Sequence, residues 1–260
     1  MANPETARLR LQQTTHHLLG TPPVISSNLS IVHGPSEPAL TNLTLGELLD
    51  EQCEIRGDKE CLVVPWTGAR WTFADLQEHS KKLAKAMLAL GLRAGDRVGI
   101  LAGNCEEYIA VFFAAGYLGC ILVVLNSTYT ADEAQFALNH SGESRALNRC
   151  IIPVLTCFLE CKVLFAEEKY GRHNNTQLLQ EIGRNLADNR SLKKLRSLVI
   201  LRGHADGFPS YKDVIERGAA QISDEDLKDA RLHVNPHDVC NLQYTSGSTG
   251  HPKAAMLTHQ

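Results

Sequence analysis

Apolar positions along the chain recur with two spacings, and the alternation between them predicts the elements. In "TFADLQEHSKKLAKAMLALG", Leu76, Leu83, Met87 and Leu90 fall on one helical face. Thr72 and Asp75 stand at the spacing of a capping box, and Gly91 sits where a helix ends. Upstream, "TLGELLDEQCE" marks the onset of order and "ECLVVPW" reads as a strand. Downstream, "DRVGIL" gives a short buried strand, "EEYIAVFFAAGYLG" a helix, "CILVVL" a second strand, and "TADEAQFALNH" a helix with a capping box at Thr130 and Glu133. "KVLFA", "SLVIL" and "SYKDVIERG" continue the alternation. In "DVCNLQYT", Cys240, Leu242 and Tyr244 alternate with Asn241 and Gln243, the pattern of a half-buried strand. Strands alternating with helices imply an α/β fold of layered, mostly parallel sheets with flanking helices.

Three stretches need separate reading. Residues 1–40 hold Pro22, Pro23, Pro35 and Pro38 among serines and glycines and read as an irregular leader. Arg8 and Arg10 with the single acid Glu5 make the start of that leader compatible with a mitochondrial targeting segment. The uncharged run Ile109–Leu125 is divided by Gly116 and Gly119 into a helix-like part and a β-branched part, which favours a buried helix feeding a buried strand over a membrane span. The polar stretch "GRHNNTQLLQEIGRNLADNRSLKK" keeps helical spacing at Leu178, Leu179, Ile182 and Leu186, so it reads as a surface helix and not a domain boundary.

Composition narrows the partners. With 260 residues, 43% hydrophobic, 21% charged and a net charge of −3, the chain can bury a large core and offers no basic field to nucleic acid or anionic lipid. A small-molecule partner is expected instead. The eight cysteines include no CxxC pair, and Cys150, Cys157 and Cys161 lack zinc-ligand spacing, so reduced thiols in an intracellular compartment are expected, with cytoplasm and mitochondrion left open.

The candidate chemistry is concentrated in "YTSGSTGHPK", Tyr244–Lys253. Gly247 and Gly250 let backbone approach a ligand, successive N–H groups in one concavity bind anions, and Lys253 supplies a mobile positive charge. Phosphate is the natural guest, although these letters alone also fit a polar hairpin turn. A Walker loop requires GxxxxGK[ST], which fails here, and a nucleophile elbow requires GxSxG, where Ser246 stands in place of the first glycine before Ser248.

"LQYTSGSTGHPK" closely resembles the AMP-binding signature of the adenylate-forming family, which includes acyl-CoA synthetases, aryl-CoA ligases, luciferases and peptide-synthetase adenylation domains. "GARWTFADLQEHSKKLAKAMLALGLRAGDRVGILAGNCEEYI" and "FFAAGYLGCILVVLNSTYTADEAQFALNHS" resemble its opening segments, in order. The resemblance implies activation of a small carboxylate with ATP to an acyl-adenylate, then transfer to the thiol of coenzyme A. It implies that Thr245, Ser246, Gly247, Ser248, Thr249, Gly250 and Lys253 hold the β- and γ-phosphates, with magnesium bridging their oxygens and Lys253 the one residue of this chain with a catalytic role; no metal-ligating residue is assigned. The look is nearest to medium-chain fatty acyl-CoA synthetases, and Ala254 replaces the glycine that many members carry after the lysine.

By the same resemblance, residues 41–260 correspond to the N-terminal part of the family's large domain. Adenine, ribose and magnesium ligands and the small C-terminal domain would lie beyond Gln260, so the chain is expected to be an incomplete fragment, inactive alone; the alternative is a non-catalytic nucleotide- or partner-binding remnant of the same fold. One segment fits no relative. Between "FALNHS" and "CKVLF" stand residues 142–160, apolar at Ile151, Ile152, Val154, Leu155, Phe158 and Leu159. Gly142-Glu143-Ser144 can be encoded through the splice-donor string GTGAGT, Leu155-Thr156 through the branch-point string CTAAC and Leu159-Glu160 through an acceptor TAG, so this segment is expected to be a non-native insertion, a retained intron packed poorly against the sheet.

Overall fold

The computed structural model describes residues 37, 39–126, 134, 161–188, 194–245 and 253–260. The chain divides into Met1–Asn42 and Leu43–Gln260, and the sheet and its helices belong to the second unit. Of the leader expected at 1–40 only residues 37, 39 and 40 are described, and the insertion expected at 142–160 lies outside the described residues.

Helix α1 (Leu45–Arg56) opens the unit and is followed by an antiparallel pair, β1 (Glu60–Val64) and β2 (Ala69–Thr72). Helix α2 (Phe73–Ala89) begins where the sequence places it: the Thr72 side chain accepts from the Asp75 N–H and the Asp75 carboxylate accepts from the Thr72 N–H. It ends at Leu90, with Gly91 just beyond at φ +83°, a conformation that costs glycine nothing. Leu76, Leu83 and Met87 are buried as their spacing predicts. The same reciprocal cap opens α1 at Thr44 and Glu47, and later α5 (Tyr211–Gln221) at Ser210 and Asp213 and α6 (Asp224–Arg231) at Ser223 and Asp226.

The central sheet takes its strands from β3 (Arg97–Leu101), β4 (Ile121–Val124), β5 (Cys161–Glu167), β8 (Ser197–Arg202), β9 (Val239–Thr245) and β10 (Lys253–Thr258). Their order is β10-β9-β4-β3-β5-β8, with β10 antiparallel to β9 and every other pairing parallel. Helix α3 (Glu106–Tyr117) links β3 to β4, and α4 (Thr176–Asp188) lies between β5 and β8 after a minimal hairpin, β6 (Lys169–Tyr170) and β7 (His173–Asn174). The expected α/β class with a mostly parallel sheet is therefore observed. The run Ile109–Leu125 divides between α3 and β4, and no helix among the described residues is long and apolar enough to cross a membrane.

Alternate strand residues feed two cores. Val98, Ile100, Leu122, Val163, Phe165 and Val199 face α1, α2, α3 and α5, while Ile121, Val123, Leu164, Leu198 and Leu242 face α4. Leu178, Leu179 and Ile182 form the buried side of α4, confirming a surface helix with one apolar face. Each such leucine or isoleucine contributes about 2 kcal/mol on burial. Contact between α1 and α3 depends on two glycines: a Cβ on Gly46 would stand 2.5 Å from the Tyr117 ring, and one on Gly116 would stand 2.9 Å from Leu45 Cβ.

Strand β9 departs from its expected half-buried character. It lies between β4 and β10, and Asn241 is only 6% exposed, as deeply enclosed as Cys240. Periodicity reported which residues alternate; it carried no information on whether both faces are covered.

Candidate functional site

The parallel strands end together on one edge of the sheet, where open α/β folds hold ligands. Thr245 is the last residue of β9 and Lys253 the first of β10, and the two stand opposite each other in the antiparallel register. The backbone thus brings the two ends of the glycine-hydroxyl segment together at the mouth of a hairpin. Ser246, Gly247, Ser248, Thr249 and Gly250 form the connection and lie outside the described residues, as do the side chains of Thr245 and Lys253. Ala254 pairs with Tyr244 in regular register, so the residue after the lysine occupies ordinary strand geometry that alanine accepts. β9 is seated by Leu242, 1% exposed, and by its parallel pairing with β4 from Leu122 to Val124.

A second concavity on the same edge was not legible in the sequence. A cleft of about 480 Å³ is lined by Trp66, Thr67, Gly103, Glu167, Tyr170 and Arg202, among others, near the ends of β3, β5 and β8. Glu106, in the first turn of α3 and 8% exposed, accepts from Thr67 Oγ1 at 2.9 Å and from the Arg202 guanidinium. Arg202 Nε also donates to Glu107 Oε2 at 2.8 Å. Partial burial works against the charge on Arg202, but its bonds to Glu107 and the nearby Glu106 outweigh this and raise its pKa above the usual value. Glu167 accepts the Gly103 N–H at 3.0 Å, and burial nevertheless moves its carboxyl upward from the ordinary carboxylate value. "NCEE" after a strand shows no ligand spacing, which is why this network could be found only from coordinates.

The described thiols form no disulfide. Cys53, Cys61, Cys105, Cys120, Cys161 and Cys240 are free, and burial pushes Cys105, Cys120 and Cys161 up to about 12. Cys150 and Cys157 lie outside the described residues. Among the described residues no group of three His, Cys, Asp or Glu could hold a metal ion.

The two ends of the glycine-hydroxyl segment thus stand opposite each other at the end of an α/β sheet where such folds hold ligands. A family model described as AMP-binding enzyme matches residues 49–260, and the chain belongs to that family. It is 47% identical over 250 residues to the acyl-CoA ligase sidI of Aspergillus fumigatus, covering 96% of this chain and 39% of that protein. It is 29% identical to the mitochondrial medium-chain acyl-CoA ligase ACSF2 of Bos taurus, covering 92% of this chain and 37% of the other. The chain thus spans about 40% of the length of the curated relatives it matches. Among solved structures, the inhibitor-bound N-terminal domain of FACL13 from Mycobacterium tuberculosis superposes with a TM-score of 0.62 at 23% identity, over 84% of this chain and 45% of that one. The anthranilate CoA ligase AuaEII with anthranoyl-AMP gives 0.62 at 21% identity, over 86% and 35%. At these identities the likeness concerns the fold.

Proposed function

We propose that Thr245, Ser246, Gly247, Ser248, Thr249, Gly250 and Lys253 hold the β- and γ-phosphates of ATP while a carboxylate attacks the α-phosphate, and that the acyl-adenylate so formed passes to coenzyme A. The supporting observation is the hairpin register that sets Lys253 opposite Thr245 at the ligand edge of the sheet. Chemically, the donor set fits: backbone N–H groups and hydroxyls suit phosphate oxygens, and one ammonium suits the charge that grows on departing pyrophosphate. No residue in this set is a nucleophile or general base. Magnesium, when bound, would screen the phosphates, and no step is assigned to this chain through it. Acyl-CoA ligase relatives, including a medium-chain one, support a fatty acid as the carboxylate.

Acid-dependent exchange of pyrophosphate into ATP tests this reading, using the chain carried in a protein of its relatives' length. Lys253→Ala is expected to lower the exchange by about a hundredfold with the fold intact. Exchange that survives the substitution, or ATP cleavage to ADP without acid-dependent exchange, contradicts it.

A further inference from the structure

The β9–β10 hairpin buries two polar atoms that have no hydrogen-bonding partner among the described residues, Asn241 Oδ1 and His259 Nε2. His259 differs from Asn241 in that its other ring nitrogen is committed. His259 is 9% exposed, and its Nδ1 accepts the backbone N–H of Leu45 at 3.1 Å. Leu45 is the first residue of α1, and the first N–H groups of a helix have no partner within it. Thr44 Oγ1 takes the N–H of Glu47, and the imidazole takes that of Leu45. An accepting Nδ1 requires a neutral ring with its proton on Nε2.

The same residue closes the far end of β10. Its own N–H donates to the Asp238 carbonyl at 3.3 Å, and Gln260 N–H donates to the Pro236 carbonyl at 3.0 Å. The end of β10 is therefore tied to the entry of β9 by backbone and to α1 by the imidazole, while Lys253 starts the same strand. We propose that His259 is a positioning residue for the Thr245–Lys253 site: its neutral imidazole clasps the end of β10 to the first turn of α1 and keeps the strand that delivers Lys253 in register with β9. The consequence for ligand rests on the phosphate reading above; the clasp does not.

Two charged groups bear on the ring, Asp238 at the entry of β9 and Glu47 on α1. Both favour a protonated imidazole, but burial opposes it more strongly, so the His259 pKa lies below its ordinary 6.5. The folded state then keeps His259 neutral where the unfolded chain protonates it. The clasp is present in full above pH 6.5 and is lost as pH falls through the folded pKa.

The test compares amide hydrogen exchange, corrected for intrinsic rates, in the 260-residue chain and its His259→Ala, His259→Asn and His259→Gln variants, each also titrated with ATP. Asn places a non-titrating acceptor where Nδ1 stands; Gln places it one carbon too far. His259→Ala is expected to speed exchange at Leu45 and along Lys253–Thr258 by about tenfold, the loss of one buried hydrogen bond, and to weaken ATP binding. Asn should restore both and remove their sensitivity to acid, and Gln should not. Wild-type exchange in a folded Ala variant, or an Asn variant as defective as Ala, overturns the clasp. Should Ala fail to fold, the Asn–Gln contrast decides the question alone. Altered exchange with unaltered ATP affinity overturns the link between His259 and Lys253 and leaves the clasp as a feature of the fold; the phosphate reading itself fails only if Lys253→Ala also leaves ATP affinity unchanged.

Discussion

Asp50 shows how much one side chain can organise. It accepts from Tyr117 Oη at 2.6 Å, from Gln77 Nε2 at 2.8 Å, and from Lys81 and Arg231, so α1, α2, α3 and α6 meet at one carboxylate. Tyr117 is itself flanked by two cations, Arg231 at 4.5 Å and Lys81 at 5.9 Å from the ring. Burial would raise the Asp50 pKa, but the bonds from Tyr117, Arg231 and Lys81 outweigh it and hold the carboxyl below 3.8. Its contribution is therefore present above pH 3.8 and lost as pH falls through the depressed folded value. Asp50→Asn is expected to cost about 2 kcal/mol in denaturant melts at pH 7, with a smaller difference from wild type near pH 3. His259 responds at higher pH, so a stability profile should fall in two separate stages on acidification. Neither group was legible in the sequence: "GELLDEQ" offers an acid on a helix, and nothing in its neighbours says that partners from three other helices converge on it.

Helices were the most legible elements because their signals are local. Thr72, Asp75 and Gly91 lie within one segment, and the structure uses all three. Thr72→Ala should cost about 1 kcal/mol of stability, read by thermal melting. The pairing of α2 with α5 depends instead on a residue distant in sequence. A Cβ on Gly218 would stand 2.5 Å from the backbone of Ala86, where no flexible side chain can yield. Gly218→Ala is expected to cost about 2 kcal/mol despite its helical setting, where alanine is otherwise preferred. Stabilisation by this change would refute the packing account. Strands were less legible: "GARWT" shows no sign of being the partner of "ECLVV", and β9 pairs with β4, more than a hundred residues upstream. The helix expected at Thr130–His140 is described only at Ala134, which is helical and fully buried. For residues 142–160, also outside the described residues, we propose a retained intron. Transcripts lacking the segment, joining "FALNHS" through one glutamate to "CKVLFAEE", are the expected result, and retention in nearly all copies would refute it.

At the scale of the whole molecule, β10 is an edge strand of the sheet among the described residues. Met256 is 42% and Leu257 48% exposed, on opposite faces of the strand, and Ala255 beside them is exposed too. An apolar edge of this kind pairs readily with other chains. The 260-residue chain is expected to self-associate with rising concentration, and Leu257→Lys to reduce this in sedimentation runs. The family was legible because its signature and opening segments are contiguous in sequence, whereas the cleft at Arg202 and the clasp at His259 assemble from separated elements and appear only on folding.

The central claim, that the hairpin at Thr245 and Lys253 grips phosphate, is tested most directly by calorimetric titration of this chain with ATP, pyrophosphate and adenosine. The account predicts that Lys253→Ala weakens ATP and pyrophosphate by about tenfold and leaves any adenosine binding unchanged. Equal ATP and pyrophosphate affinities in the wild type and a folded Lys253→Ala variant would contradict it.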